Sequence, residues 1–162
     1  KKRALIQEME AIEALARVNV LCLDKTGTIT TGELQVENII CLNHCQIDQI
    51  NEIMGAIAFS FFDVNETQLA LQNYFKKPDG YKVKALLPFS SQRKMRAISF
   101  YDQGHFVLGA CEFLIDDEKV LKMADSYANE GLRVLLLASL DQLEIEQPYF
   151  EGVHFLLNIL HF

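Results

Sequence analysis

The feature that most constrains this chain is a short apolar run at residues 18–23, which ends at Asp24. A run of this kind, bounded by turn signals, is typical of a strand buried in an α/β sheet. A carboxylate at the carboxyl end of such a strand lies where open α/β sheets bind their ligands. The residues that follow are Lys25, Thr26, Gly27 and Thr28. They supply a cation, two hydroxyls and backbone that can come close to a phosphate, so the segment predicts a phosphate site with Asp24 as nucleophile.

Charge and apolar run length argue against two classes, nucleic-acid-binding proteins and chains with a membrane-spanning helix. The 162 residues are 50% hydrophobic, which is enough for one ordinary domain or two small ones. The net charge of −7 argues against a nucleic-acid partner, which requires a basic surface. The longest apolar stretches lie near 132–140 and 153–160. Both are far shorter than the roughly 20 residues of a membrane-spanning helix.

The four cysteines predict free thiols in a reducing cytoplasm. Cys41 and Cys45 lie on either side of His44, but this spacing lacks a second pair of metal ligands, so we do not predict a metal site there. The sequence also begins without Met, and we therefore expect it to be a piece of a longer protein.

The first half of the chain alternates between helical and extended patterns. The predicted elements are a helix at 4–16, strands at 18–23 and 34–40, and helices at 47–57 and 65–75. The last of these has a clear start, because Asn65 can cap it and Gln68 follows three residues later, as in a capping box.

The second half predicts further strands and one more helix. The predicted elements are a strand at 81–87, a loop or bulge at 88–93, a hairpin of 94–101 with 105–110, a helix around 120–128 ended by Gly131, and strands at 132–140 and 153–160. Residues 141–149 are polar and predict a linker. We expect strand 18–23 to pair with strand 153–160, with residues 33–147 forming a separate inserted domain.

The pentapeptide at Asp24 resembles a known family motif. Asp-Lys-Thr-Gly-Thr matches the phosphorylation motif of P-type ATPases without a mismatch, and Ile29 and Thr30 continue the family's usual run. Residues 12–18 resemble the segment that joins a membrane helix to the phosphorylation site in that family. The resemblance implies that Asp24 accepts a phosphoryl group from ATP. It also implies that Asp24 and the Thr26 carbonyl hold Mg²⁺, while Lys25 and Thr28 position the phosphate.

A second resemblance concerns the nucleotide pocket. Residues 89–95, Phe-Ser-Ser-Gln-Arg-Lys-Met, are similar to the nucleotide-domain motif of cation-transporting members. By that resemblance Phe89 stacks on adenine and Lys94 lines the same pocket, while Glu66 meets the adenine amino group and Arg133 lies near the phosphates. The remaining members of the predicted nucleotide site are Ser91, Gly109 and Ala110, the two latter leaving room for the base.

The chain departs from the family at the back of this pocket. Residues 108–112 read Leu-Gly-Ala-Cys-Glu, where the family commonly has Lys-Gly-Ala-Pro-Glu. Leu108 therefore replaces a cation, and we expect weak nucleotide binding. The family's later motifs, including Gly-Asp-Gly-x-Asn-Asp, are absent from these 162 residues.

The resemblance implies an α/β architecture: an α+β nucleotide-binding domain with an antiparallel sheet flanked by helices. This domain would be inserted into a dehalogenase-like Rossmannoid domain of which only edge segments are present. The expected divisions are 1–32 for the stalk and the start of the phosphorylation domain, 33–147 for the nucleotide-binding domain and 148–162 for the return segment.

The implied function is cation transport across the cell membrane, driven by ATP with Mg²⁺, with this portion on the cytoplasmic side. The implied partners are ATP and the remainder of the same polypeptide, and not nucleic acid. A Ca²⁺- or Mg²⁺-type pump is expected, while the fragment alone only binds nucleotide. The alternative is a soluble phosphatase or phosphotransferase of the dehalogenase superfamily. Thr26 argues against it, because those enzymes carry a second Asp at this position as general acid and base.

Overall fold

The computed structural model describes residues 9–20, 22, 34–42, 46–63, 65–141, 143 and 158–161. The chain divides into two compact units, Lys1–Gly32 and Glu33–Phe162. The second unit contains every strand found in the described residues.

The described part of the first unit is a short helix followed by exposed chain. Helix α1 is Met9–Ala16, within the predicted helix at 4–16. Residues 18–20 and 22 are not in a strand, and Val18 and Val20 are 50% and 73% exposed. The buried strand predicted at 18–23 is therefore wrong for these residues. The predicted catalytic and magnesium residues, Asp24, Lys25, Thr26 and Thr28, lie outside the described residues.

The second unit is built on one six-stranded antiparallel sheet with the strand order β1-β6-β5-β4-β3-β2. The strands are β1 (Ile39–Cys41), β2 (Val83–Ser90), β3 (Met95–Phe100), β4 (Gly104–Gly109), β5 (Val134–Leu140) and β6 (Asn158–His161). The α/β class, with an antiparallel sheet flanked by helices, is confirmed. The insertion into a Rossmannoid domain stays a prediction.

The position of β6 corrects the predicted strand pairing. It lies between β1 and β5, with Ile40 opposite Ile159 on one side and Leu135 opposite Leu160 on the other. A strand has two hydrogen-bonding edges, and both edges of β6 are used inside this sheet. For residues 158–161, the predicted pairing with strand 18–23 is therefore wrong.

Two of the four helices in the second unit have ends that local sequence signals predict. They are α2 (Ile47–Ser60), α3 (Glu66–Tyr74), α4 (Cys111–Leu114) and α5 (Glu118–Asn129). The predicted cap of α3 is confirmed, because the Asn65 side chain accepts a hydrogen bond of 2.8 Å from the Gln68 N–H. The predicted stop of α5 is also confirmed: Gly131 has φ 89° and donates to the Ala128 carbonyl. The four-residue helix α4 was not predicted.

Two apolar clusters cover the two faces of the sheet. On β3, Ile98 and Phe100 pack with α2 and α3, whereas Met95 and Ala97 pack with α4 and α5. This alternation is the period of two that a strand imposes on its side chains. We call the two sides the α2/α3 face and the α4/α5 face. Because both faces are buried, the sheet is held rigidly and can position groups at its ends.

Candidate functional site

A cavity of about 890 Å³ lies at one end of the sheet, against the first turns of α3. It is formed where β2 ends, β3 begins, β4 ends and β5 begins. Its volume is in the range of sites that bind small molecules. Six predicted nucleotide-binding residues line it: Glu66, Phe89, Lys94, Gly109, Ala110 and Arg133. Residues more than 60 positions apart in the sequence thus meet at one site.

Ser91 is the one predicted nucleotide-binding residue that does not line the cavity. It lies in the exposed turn between β2 and β3. Asn65, Thr67 and Arg96 are polar lining residues that were not predicted. The apolar part of the wall comes from Leu69, Leu108, Val134 and Leu135.

Phe89 is presented by a bulge at the end of β2. Of the loop or bulge predicted at 88–93, the bulge is found at its start, where β2 continues to Ser90. The pairing register shifts between Leu87 and Ser90, which marks an irregularity of the β-bulge kind. Such irregularities redirect side chains, and Phe89 remains 52% exposed at the wall of the cavity. An exposed aromatic ring in this place can stack on a planar ligand.

Lys94 is held in an unusual backbone conformation. Its φ is 55°, and it is the non-glycine residue with positive φ in the described chain. Its N–H donates to the Ser90 carbonyl at 2.7 Å, and its own carbonyl accepts from the Ala110 N–H at 3.0 Å. Non-glycine residues in this region store about 1–3 kcal/mol of strain and are frequent at ligand sites. These two bonds keep Lys94 beside the end of β4.

Gly109 is required by the packing of the strands. A Cβ atom at this position would lie 2.6 Å from the Met95 Cβ and 2.7 Å from the Lys94 carbonyl oxygen. The family resemblance implied that the missing side chain leaves room for a base. The structure shows that the space is already filled by β3, so Gly109 brings β3 and β4 together beneath the cavity.

Charged groups of both signs lie at the opening of the cavity. Glu66 is the first residue of α3 and is exposed, as are Lys94 and Arg133. The Arg133 guanidinium donates to the Thr67 hydroxyl at 2.6 Å, which links the start of β5 to the start of α3. The opening therefore offers one carboxylate and two cations to a ligand.

Arg96 is a buried cation in the wall of the cavity. It is 6% exposed, donates from Nη1 to the Gln68 Oε1 and lies 4.8 Å above the centre of the Phe61 ring. Burial lowers the pKa of Arg96 to about 10, an effect partly offset by the nearby Asp63 carboxylate. The guanidinium is therefore still charged at neutral pH. The sequence shows an arginine within an apolar strand, but this pattern alone does not assign Arg96 to a cavity.

Gln68 explains why the capping box is only half formed. Its backbone N–H bonds Asn65 as predicted, but its side chain is buried and turns inward. There it donates to the Ala58 and Phe61 carbonyls and accepts from Arg96. The reciprocal bond of the capping box is therefore replaced by support for the buried guanidinium.

Cys111 has a structural role that accounts for one departure from the family pattern. It is the first residue of α4, a position where proline is also favoured because the N–H has no partner within the helix. Its side chain is buried in the cluster on the α4/α5 face, and burial raises the pKa of the thiol to about 11. It does not line the cavity.

The chain is similar to cation-transporting ATPases of several organisms. It is 37% identical over 141 residues to the calcium-transporting ATPase CtpE of Mycobacterium bovis, a match covering 86% of this chain and 18% of that protein. It is 40% identical over 149 residues to the probable cation-transporting ATPase exp7 of Streptococcus pneumoniae, covering 91% and 19%. The putative cation-transporting ATPase MJ1226 of Methanocaldococcus jannaschii is 32% identical over 154 residues, covering 85% and 19%. No family model matches the chain.

These similarities identify the class of protein. The chain belongs to the family of cation-transporting P-type ATPases, which are hydrolases. It spans about a fifth of the length of the relatives that it matches. Within the part of the chain that the structure describes, no helix has both the length and the apolar character needed to cross a membrane.

Proposed function

We propose that the cavity at the end of the sheet is the ATP-binding site of a P-type ATPase that transports cations. The observation that carries this proposal is the meeting of Glu66, Phe89, Lys94 and Arg133 around one cavity. Each of these residues matches a family motif, and they come from the start of α3, the end of β2, the turn before β3 and the residue before β5.

The chemistry of the lining suits an adenine nucleotide. The exposed ring of Phe89 stacks on the base, a contact that contributes on the order of 1–3 kcal/mol in comparable sites. The Glu66 carboxylate accepts a hydrogen bond from the adenine amino group. Lys94 and Arg133 attract the phosphates at the opening, where the charge of the ligand stays hydrated.

We propose that the phosphoryl acceptor is Asp24. One carboxylate oxygen bonds to the γ-phosphorus as the bond from that phosphorus to the bridging oxygen breaks, and ADP leaves. Lys25 and Thr28 orient the phosphate. The Asp24 carboxylate and the Thr26 carbonyl are oxygen donors of the kind that Mg²⁺ prefers, and the ion would neutralise charge on the transferred group. Thr26 cannot act as an acid or base at neutral pH, so the aspartyl-phosphate persists long enough to drive transport.

The transported ion is proposed to be a divalent cation of the Ca²⁺ or Mg²⁺ type. One of the relatives carries calcium transport in its name, and residues 89–95 are similar to the nucleotide-domain motif of cation-transporting members. The work of transport would be done in the membrane together with other domains of the polypeptide. The 162-residue chain itself is proposed to bind ATP on the cytoplasmic side without turning it over, as a nucleotide-binding module.

Calorimetric titration of the chain with ATP tests the binding site. We expect saturable binding to one site, and about a tenfold loss of affinity in Phe89→Ala because the stacking contact is removed. Phe113→Ala is the matched control: Phe113 is 48% exposed, close to the 52% of Phe89, but it belongs to α4 and does not line the cavity. Equal affinities of the two variants for ATP would show that Phe89 has no stacking role.

Measurement of steady-state phosphate release distinguishes a nucleotide-binding module from the alternative, a soluble phosphatase. The chain is expected to release no phosphate from ATP or from a general phosphatase substrate such as p-nitrophenyl phosphate. Turnover of p-nitrophenyl phosphate that disappears in Asp24→Asn would instead establish the soluble phosphatase.

A further inference from the structure

Arg96 carries a buried charge that no carboxylate contacts within the described residues, although the nearby Asp63 acts on it electrostatically and raises its pKa. Within the described ranges the ion pairs are Arg17 with Glu13 and Lys122 with Glu118, both on exposed helix surfaces. Gln68 takes one of the five N–H donors of the Arg96 guanidinium, and it is a neutral partner. A buried charge is costly unless it is paired and hydrogen-bonded. The cavity that Arg96 lines is therefore the direction from which an acceptor can come.

The depth of Arg96 decides which part of a nucleotide it meets. Arg96 is 6% exposed and stands directly opposite Leu108 in the register of β3 and β4. Lys94 and Arg133 lie exposed at the opening, where they suit hydrated phosphates. Arg96 and Leu108 are both buried lining residues and Leu108 is apolar, so we expect the base rather than the phosphates to meet this part of the wall. Arg96 also places a cation on β3 directly opposite Leu108 of β4, the position where the family commonly has a lysine.

We propose that Arg96 reads the edge of the base and makes the pocket accept 6-oxopurine nucleotides, such as GTP, as readily as ATP. This inference rests on the proposed nucleotide site. A guanidinium is a fork of donors, and the O6 and N7 atoms of guanine are two adjacent acceptors that fit it. Adenine offers only N7 on that edge, because its 6-position carries an amino donor.

Glu66, the other charged residue expected near the base, also favours guanine. Glu66 is an acceptor, and guanine presents two donors, N1–H and the 2-amino group, on its remaining edge. The donor from Arg96 and the acceptor from Glu66 thus complement guanine, whereas adenine uses Glu66 through its amino group alone. Gln68 holds the guanidinium in place through the bond to Nη1, and Phe61 stacks beneath it.

Titration calorimetry with ATP and with GTP tests the proposal on the 162-residue chain. We expect the wild-type dissociation constants for the two nucleotides to agree within about threefold. In Arg96→Met, which keeps the length of the side chain without its donors, GTP binding should weaken by about tenfold more than ATP binding. Lys84→Met is the matched control, because Lys84 is an exposed lysine on β2 that does not line the cavity. The ratio of its dissociation constants for GTP and ATP should equal that of the wild type.

Arg96→Lys covers the case in which the Met variant does not fold. It keeps the buried charge but removes the two-pronged donor, so GTP should still weaken several-fold relative to ATP. A wild-type chain that prefers ATP by more than about tenfold, or an Arg96 variant that weakens both nucleotides equally, overturns the role of Arg96 while leaving the ATP site intact. A chain that binds neither nucleotide overturns the proposed function itself.

Discussion

The two faces of the sheet are equally well buried but differ in chemistry. The α4/α5 face is apolar throughout its cluster, apart from the thiol of Cys111, and the buried hydroxyl of Ser99 lies on the same side of β3 as Met95 and Ala97. The α2/α3 face has an apolar cluster of similar size, and beside it the buried polar pair Arg96 and Gln68. The cavity opens next to this polar pair. The comparison indicates that one face supplies stability and that the other supplies both stability and the site.

Adjacent leucines of β5 give the largest expected effects and the sharpest test of this difference. Leu136 and Leu137 are both 0% exposed, but they belong to the clusters of opposite faces. Leu136→Ala and Leu137→Ala should each lower the free energy of unfolding by about 2–5 kcal/mol in urea denaturation. Because Leu137 lies opposite Leu108 of the cavity wall, only Leu137→Ala should also weaken ATP binding several-fold. Equal effects on binding would mean that the faces are not functionally distinct.

Gly109→Ala should produce the next largest effect, because Gly109 contacts β3 where the two faces meet. The added methyl would lie 2.7 Å from the Lys94 carbonyl oxygen, so the strand must shift. We expect a loss of about 1–3 kcal/mol in the free energy of unfolding. ATP affinity should fall as well, since Lys94 is displaced. Gly131→Ala provides a reference for strain from positive φ alone, because a Cβ there meets no atom within 4 Å.

Substitutions of two helix-capping residues compare the two faces through smaller changes in the free energy of unfolding. Asn65 caps α3 beside the cavity and Asp117 caps α5 on the opposite face, each through a side-chain oxygen. Asn65→Ala and Asp117→Ala should each lower the free energy of unfolding by about 1 kcal/mol. Only Asn65→Ala should reduce ATP affinity, because fraying of α3 displaces Glu66 and Thr67. Reduced affinity in Asp117→Ala would contradict the assignment of the site to one face.

The buried titratable groups give the smallest expected effect. The pKa of the Cys111 thiol is raised from 9.0 to about 11 by burial, so the folded state keeps it neutral where the unfolded state ionises it. Its contribution to stability is complete below about pH 9 and is lost as the pH rises to about 11, with a difference of about 1 kcal/mol near pH 10. Urea denaturation at several alkaline pH values should therefore show a steeper loss in wild type than in Cys111→Ala. Parallel curves would show that the thiol is not buried.

Local sequence signals were sufficient to predict many of the helices, strands and turns of the second unit. The hairpin of β3 and β4, the Asn65 cap and the Gly131 stop each depend on residues a few positions apart, and each was predicted. The pairing of the last strand was predicted wrongly because an apolar run does not encode its neighbour. In the structure β6 pairs with β1, which is more than 100 residues earlier in the chain.

The candidate site was predicted only in part, because local motifs identify some of its residues and long-range contacts create the rest. Phe89 and Glu66 could be found because a family motif surrounds each of them. Arg96 could not, because its environment is made by Gln68, 28 residues away, and by the ring of Phe61. Long-range packing, rather than the pattern of β3 itself, turns a strand arginine into part of a cavity wall.

The central claim is that nucleotide binds on the α2/α3 face at the end of the sheet. The most direct test is an NMR titration of the ¹⁵N-labelled chain with ATP. If ATP binds there, the amide shifts of Glu66, Lys94, Gly109 and Arg133 should change together with one dissociation constant, while those of Val120 and Ala124 on α5 stay constant. Shifts that instead centre on α5, or no shift at saturating ATP, would contradict it.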